Sequence, residues 1–349
     1  MAIDRIHNRV DLGTSEYRQR VLDIVDAGYE SIDTEAVIQA QVRLDGQTIF
    51  IGSNSYDLNK FEHVYVVGIG KVSCKAAFVL EQILGKVIKN GVAIGITPTQ
   101  CDFIETYGGT HPMPSVQNVE LSEKIIELSK TITDKDLVIT IVSGGGSALL
   151  CWPMDECKQA QKLYEEFLHT GGNISELNTI RKHISKLKGG GLAAVLYPAT
   201  VLGLIFSDIP GDHYDLVASG PTYQDASTIA DAQAIIDKYK LGDYKLIETP
   251  KDNKFFERVT NIPIVSNINA LEAMSRKAKQ LGLKVKIISS ELYGNVPDVA
   301  TQIHEAVEAG TVVLGAGEPE LIVTVKNGTG GRSQMLAMEM LLKLSGNDV

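Results

Sequence analysis

The sequence predicts an α/β protein built on a parallel sheet, and three strand–turn–helix junctions carry that reading. Residues 63–67 form a short β-rich run that ends in Gly68-Ile69-Gly70-Lys71, before a helical stretch over 73–84. Residues 137–142 form a second run, ending in Ser143-Gly144-Gly145-Gly146-Ser147. Residues 200–206 form a third, ending in Ser207-Asp208. Short continuous apolar strands alternating with helices belong to a parallel sheet covered on both faces. In such sheets ligands collect outside the carboxyl ends of the strands, where all three runs place their polar residues.

The remaining elements follow from periodicity. Over 120–128 apolar residues fall at 121, 125 and 128, and over 160–168 at 160, 163, 164, 167 and 168, each a helical face. Residues 243–261 are polar without a clean period and are expected to be a linker. Beyond them a run at 262–265, a helix over 270–280 and a strand over 284–288 are expected to begin a second unit. Runs at 312–314 and 321–325 and a final helix over 334–344 complete it. The expected division is therefore 1–250 and 251–349.

Length and composition agree with two soluble domains. At 349 residues the chain exceeds one ordinary core, and 44% hydrophobic with 22% charged residues is a globular balance. The net charge of −10 argues against nucleic acid as a partner, because phosphate-backbone binding is driven by Lys and Arg. Residues 1–10 lack the apolar run of a secretory signal. The purest apolar stretch, residues 201–206, is far below the ~20 residues of a membrane helix. A cytoplasmic protein without membrane contact is expected. Cys74, Cys101, Cys151 and Cys157 form no C-x-x-C pair or zinc spacing and are expected to be reduced.

The loop Ser143-Gly144-Gly145-Gly146-Ser147 is the first candidate for chemistry. Three glycines between a strand and a helix leave backbone N–H groups bare, which suits an anion; one glycine suffices for a tight turn. Gly68-Ile69-Gly70-Lys71 is neither a Walker A loop nor a dinucleotide fingerprint, since Ser73 stands where a third glycine belongs. Lys71 nevertheless follows a parallel strand, where a point charge can hold a phosphate oxygen.

In the segment Asn178 to Gly191, Ile180, Ile184 and Leu187 have the spacing of a buried helical stripe. Arg181, Ser185 and Lys188 repeat that spacing one residue on and would border it, while Lys182 and Lys186 would be solvated. Such a row suits a carboxylate or phosphate. Asp208 and Asp212, in a Gly/Pro turn, could hold Mg²⁺, orient or deprotonate a hydroxyl, or make turn hydrogen bonds. His111, in His111-Pro112-Met113-Pro114, reads as structural. Glu318 lies in a turn, and Arg332 follows Gly330-Gly331 at a helix start.

These motifs occur in order: G-I-G-K, H-P-M-P, S-G-G-G-S-A-L, N-x-x-R-K-H-x-S-x-x-K-G-G, F-S-D-x-x-G-D, A-S-G-P-T, G-E-P and G-G-R-S-Q. Over residues 60–340 the chain resembles the class II glycerate kinases of the MOFRL family, also called glycerate 2-kinases and, in older usage, hydroxypyruvate reductases. The resemblance implies a Rossmann-like three-layer α/β/α domain, a smaller mixed α/β domain, and a site between them. It implies transfer of the ATP γ-phosphate to D-glycerate, giving 2-phosphoglycerate, with Mg²⁺. Lys71 and Arg332 would then be the catalytic cations, with Asp208 or Asp212 as metal ligand or base. Residues 143–147 would cradle an anion, and Arg181 and Lys188, with Asn178, Ser185 and Glu318 nearby, would hold phosphate or carboxylate.

The resemblance also implies Asn where Ser333 stands, and a further strand with a T-D-G-x-D-G-P-T loop beyond Val349, so the second domain reads as incomplete. Two other classes compete with a kinase: an oxidoreductase acting on hydroxypyruvate, and a non-catalytic glycerate- or nucleotide-binding protein. Homo-oligomerisation is left open.

Overall fold

The structure, a computed structural model, describes residues 5–167, 170–211, 213–321 and 329–344. They form two compact units, one from Val37–Asp208 and His213–Ile264, the other from the described residues of Met1–Ala36, Ile209–Asp212 and Val265–Val349.

The larger unit opens with an antiparallel meander of β1 (Val42–Asp45), β2 (Thr48–Ile51) and β3 (Asn54–Asp57). Its main sheet contains β4 (Val64–Ile69), β5 (Ile88–Gly95), β6 (Ile104–Gly108), β7 (Leu137–Ser143), β8 (Thr200–Phe206) and β9 (Val259–Val265), in the order β6-β5-β4-β7-β8-β9. The pairings among β4 to β8 are all parallel. Every residue of β4 and β7 is buried, which is why both read as unbroken apolar runs rather than alternating ones. Full burial of a side chain such as Ile139 or Ile141 contributes about 1.5–3 kcal/mol.

The helix after β4 spans Ser73–Leu84, as expected. Cys74, Ala77, Leu80 and Leu84 lie on its buried face, and it stops at Gly85, whose φ of 51° suits glycine. From β4 the chain steps outward through β5 to β6, then returns to the other side of β4 with β7. The strand order therefore reverses between β4 and β7. In open α/β sheets such a reversal opens a crevice in which ligands bind.

Two expectations are corrected here. The stretch 243–261 is not a free linker. Ile247 N donates to His183 O at 2.7 Å, Tyr244 Oη donates to Glu166 at 2.7 Å, and Thr249 is buried. Its polar residues bind other polar residues, so low hydrophobicity did not mean solvation. The run expected at 262–265 is the end of β9, which joins the main sheet beside β8 instead of starting the second unit.

In the second unit β10 (Lys284–Leu292) pairs in parallel with β11 (Thr311–Gly317). The helix Asn267–Gln280 packs on them through Leu271 and Ala278, which cluster with Leu314. The helix Glu16–Ser31 joins the same cluster through Ile24, and Gly28 lies so close to Met274 that a Cβ would come within 2.9 Å of its Cγ. The N-terminal helix thus belongs with the C-terminal elements, although the expected division grouped residues 1–250 together. Of the strand expected at 321–325, all but Leu321 lies outside the described residues. The last helix is Arg332–Leu344.

Candidate active site

The loops leaving β4 and β7 are tied together at the reversal point. Lys71 N donates to Gly144 O at 2.9 Å, and Val72 N donates to Ser143 Oγ at 3.3 Å. Gly70, at φ 114°, has no room for a side chain, since a Cβ would fall 2.1 Å from Ser143 Oγ. The Ser143 hydroxyl is buried between the loops and holds them, rather than facing a ligand.

Each glycine of the triplet admits a different neighbour. At Gly144 a Cβ would lie 1.8 Å from Asp208 Oδ2, so only glycine lets that carboxylate close on the loop. Gly145, at φ 82°, presents its bare face to two side chains: Lys71 Cγ and His111 Cδ2 would be 2.9 and 3.0 Å from its Cβ. At Gly146 the space is filled by Ala218. Among the described residues, the N–H groups of Gly145, Gly146 and Ser147 donate to no other backbone group, which leaves them available to an anion.

Lys71 Nζ lies 3.9 Å from Asp208 Oδ2, with both side chains about half exposed. His111 is exposed at its surface, yet partial desolvation by the loops around it lowers its pKa below the usual 6.5; Lys71 lowers it further, and Asp208 opposes both. Lys71, Asp208, His111 and the glycine loop thus share one locality.

A second group adjoins it through Ser147. Ser147 Oγ and Ser219 Oγ are 2.8 Å apart, and Ser219 Oγ donates to Asn178 Oδ1 at 3.1 Å. The single Ser219 proton is then committed to Asn178, so Ser147 is the donor to Ser219. Arg181 Nη1 also donates to Asn178 Oδ1, at 3.3 Å. Ser219 and the preceding Ala218 adopt φ of 60° and 54°, a strained setting for residues with a Cβ and one that clusters at functional sites. Ser219 was not singled out from the sequence, although it lies in the quoted A-S-G-P-T motif; its strain has no sequence signature.

The segment 178–191 departs from the expected helical row. Asn173 caps the helix Ile174–His183 in a capping box with Glu176, and that helix ends before Ser185. Ser185 Oγ then accepts from Leu187 N and Lys188 N, both at 3.1 Å, and the turn completes at Gly189 and Gly190 with φ of 55° and 86°. Ile180, Ile184 and Leu187 are buried as read, but Leu187 is placed by the turn.

Lys188 is committed internally. Its ammonium donates to Glu156 Oε1 and, at 2.7 Å, to Leu150 O. The other Glu156 oxygen accepts from Ser185 Oγ at 2.8 Å. Burial pushes the Glu156 pKa up, against Lys188 and Ser185. Lys182, expected in solvent, is largely buried against Asp225 at 3.0 Å. Only Lys186 is exposed as expected.

Arg181 differs from these. Burial pushes its pKa down to about 10, and among the described residues no carboxylate pairs with it. It lines a cavity of ≈ 20 Å³ with Ser147, Tyr164, Ile184, Glu156 and Lys188. That volume is water-sized.

In the second unit Arg332 opens its helix and donates to Glu318, so these two candidates pair with each other. Asp212 lies outside the described residues. No group of three or more His, Cys, Asp or Glu residues placed to hold a metal occurs among the described residues, and no helix there is long and apolar enough to cross a membrane.

Known proteins share both the sequence and the architecture. A family model described as a domain of unknown function, DUF4147, matches residues 20–248. A D-glycerate 2-kinase of Thermotoga maritima is 32% identical over 310 residues, covering 82% of this chain and 72% of the relative. This chain belongs to the glycerate 2-kinase family. A glycerate kinase of Danio rerio is 31% identical over 416 residues, covering 96% of this chain and 82% of the relative. The crystal structure of a glycerate kinase from Thermotoga maritima superimposes with a TM-score of 0.78 at 28% identity, covering 95% of this chain and 80% of that one. In open parallel α/β sheets, ligands gather in the crevice where the strand order reverses, here between β4 and β7.

Proposed function

We propose that this protein transfers the γ-phosphoryl group of ATP to D-glycerate, giving 2-phosphoglycerate. One observation supports it above the rest: a lysine, a loop with free N–H groups and a carboxylate-free arginine are joined by hydrogen bonds and contacts at one sheet edge. Phosphoryl transfer depends on positioning and charge neutralisation, and these groups supply both.

In this reading Lys71 neutralises the transferring phosphoryl group, and Gly145, Gly146 and Ser147 cradle a phosphate. Arg181, with Ser147, takes the glycerate carboxylate at the mouth of its cavity, while Asn178 aims the guanidinium. Lys188 and Ser185 act through Glu156 as scaffold rather than touching substrate. Arg332 is a phosphate-directed cation that exchanges Glu318 for its ligand. Asp208 fits Mg²⁺, which takes one or two carboxylates together with substrate phosphates. When bound there, the ion would draw charge from the phosphate oxygens.

A nicotinamide-dependent reductase has less support. Ser73 occupies the third-glycine position, and its buried hydroxyl sits 2.8 Å from the carbonyl oxygens of both Gly70 and Ile94. The deciding experiment incubates the protein with ATP, Mg²⁺ and D-glycerate and identifies products by phosphorus NMR. A 2-phosphoglycerate resonance is expected. Binding of either substrate without product would instead mark a non-catalytic protein, and oxidation of NADH by hydroxypyruvate a reductase.

A further inference from the structure

We propose that His111 is the catalytic base that receives the proton of the substrate hydroxyl. This rests on the kinase reading and adds to it a group whose sequence setting looked structural.

The geometry comes from Gly145. Lys71 Cγ and His111 Cδ2 lie 2.9 and 3.0 Å from one point, the place of a Gly145 Cβ, so the imidazole and the lysine stem border the same small space. Asp208 faces that space from the end of β8 through Gly144. His111 is exposed, so a hydroxyl can reach it. The charged groups acting on the ring are Lys71 and Asp208, with no other in play among the described residues.

The loop after β6 therefore sets an imidazole beside the Lys71 stem, at the sheet edge where the kinase reading places the phosphoryl group. As the substrate oxygen bonds to the γ-phosphorus, its O–H bond breaks and the proton passes to the free imidazole nitrogen. The bond from phosphorus to the bridging oxygen breaks, and its electron pair leaves with ADP. Histidine suits this step better than a carboxylate, because imidazole ordinarily titrates near 6.5 and carboxylates near 4. Partial desolvation, and then Lys71, lower the pKa of the ring, which favours the form able to accept a proton. Asp208 is then left to the cation and to Lys71.

The test compares wild type with His111→Gln and His111→Ala, measuring 2-phosphoglycerate formation across pH, the KM for ATP, and thermal melting. Loss of a general base lowers kcat by roughly 10²–10⁴-fold. The expected result is a fall of that size in both variants with the KM for ATP and the melting curve unchanged. The wild-type rate should fall on the acid side below pH 6.5, and that limb should vanish in His111→Gln. A variant that keeps its rate overturns the proposal while leaving the kinase reading intact. So does a slow variant whose acid limb stays in place, because another group then owns the proton. Wild-type protein that forms no phosphoglycerate overturns both.

Discussion

Lys188 with Glu156 and Lys71 with Asp208 are the same pair of ions in two settings. The first has side-chain exposures of 3% and 1%, with both carboxylate oxygens and the ammonium hydrogen-bonded. The second has exposures of 45% and 55% at a separation of 3.9 Å. At that distance in water two unit charges attract by only about 1 kcal/mol, less than a phosphate can offer in exchange. In the buried pair, removing either partner strands an uncompensated ion in the interior. One pair is a fixture of the fold; the other is a contact that a substrate can replace. Charge alone does not distinguish a site from a scaffold, and access to water does.

The sharpest way to break this contrast is to remove one half of the buried pair. Glu156→Gln keeps the shape and the hydrogen bonds from Ser185 and Trp152 but leaves the Lys188 charge uncompensated. A loss of about 3–5 kcal/mol in unfolding free energy is expected, read from the denaturant midpoint at unchanged slope. A loss under about 1 kcal/mol would mean the interior is wetter than the burial implies. Lys71→Met is the matching change at the open pair. Unfolding free energy should move by less than about 0.5 kcal/mol. Turnover of glycerate should fall by roughly 10²–10³-fold, the usual effect of deleting one charge-stabilising group. Equal damage to stability and turnover in either variant would erase the distinction.

The sequence made the framework legible and the partnerships much less so. The apolar run at β8 and the helix Ser73–Leu84 were read at their observed bounds, because glycines and polar turns punctuate continuous burial there. The three loops at the sheet edge followed from the same pattern. Lys182 was misplaced because Asp225 lies 43 residues further along the chain, beyond any periodic signal. The helix ending at His183 was overextended because Ile184 and Leu187 continue its apolar spacing while the backbone has already turned. His111 could not be located from its loop; only the bare face of Gly145 shows what the ring adjoins. The docking of Glu16–Ser31 on Asn267–Gln280 is likewise a match of two helix faces across more than 200 residues.

The smallest expected effect sharpens the comparison from the other side. Lys186 stands between Ser185 and Leu187 in the most basic segment of the chain, yet it is exposed, with its ammonium 5.3 Å from the Trp152 ring centroid. A solvent-exposed cation over a partly buried aromatic ring is worth about 0.5–1 kcal/mol, so Lys186→Ala should cost no more than that in unfolding free energy. The KM for glycerate and kcat should both be unchanged under the proposal that the position of Arg181, rather than the summed charge of its segment, holds the ligand. Steady-state kinetics at low and moderate salt separates the two accounts, since a contribution from summed charge weakens as salt rises. A tenfold rise in KM at low salt that disappears at moderate salt would show that the segment attracts anions as a whole. The cavity beside Arg181 would then lose its claim to the carboxylate.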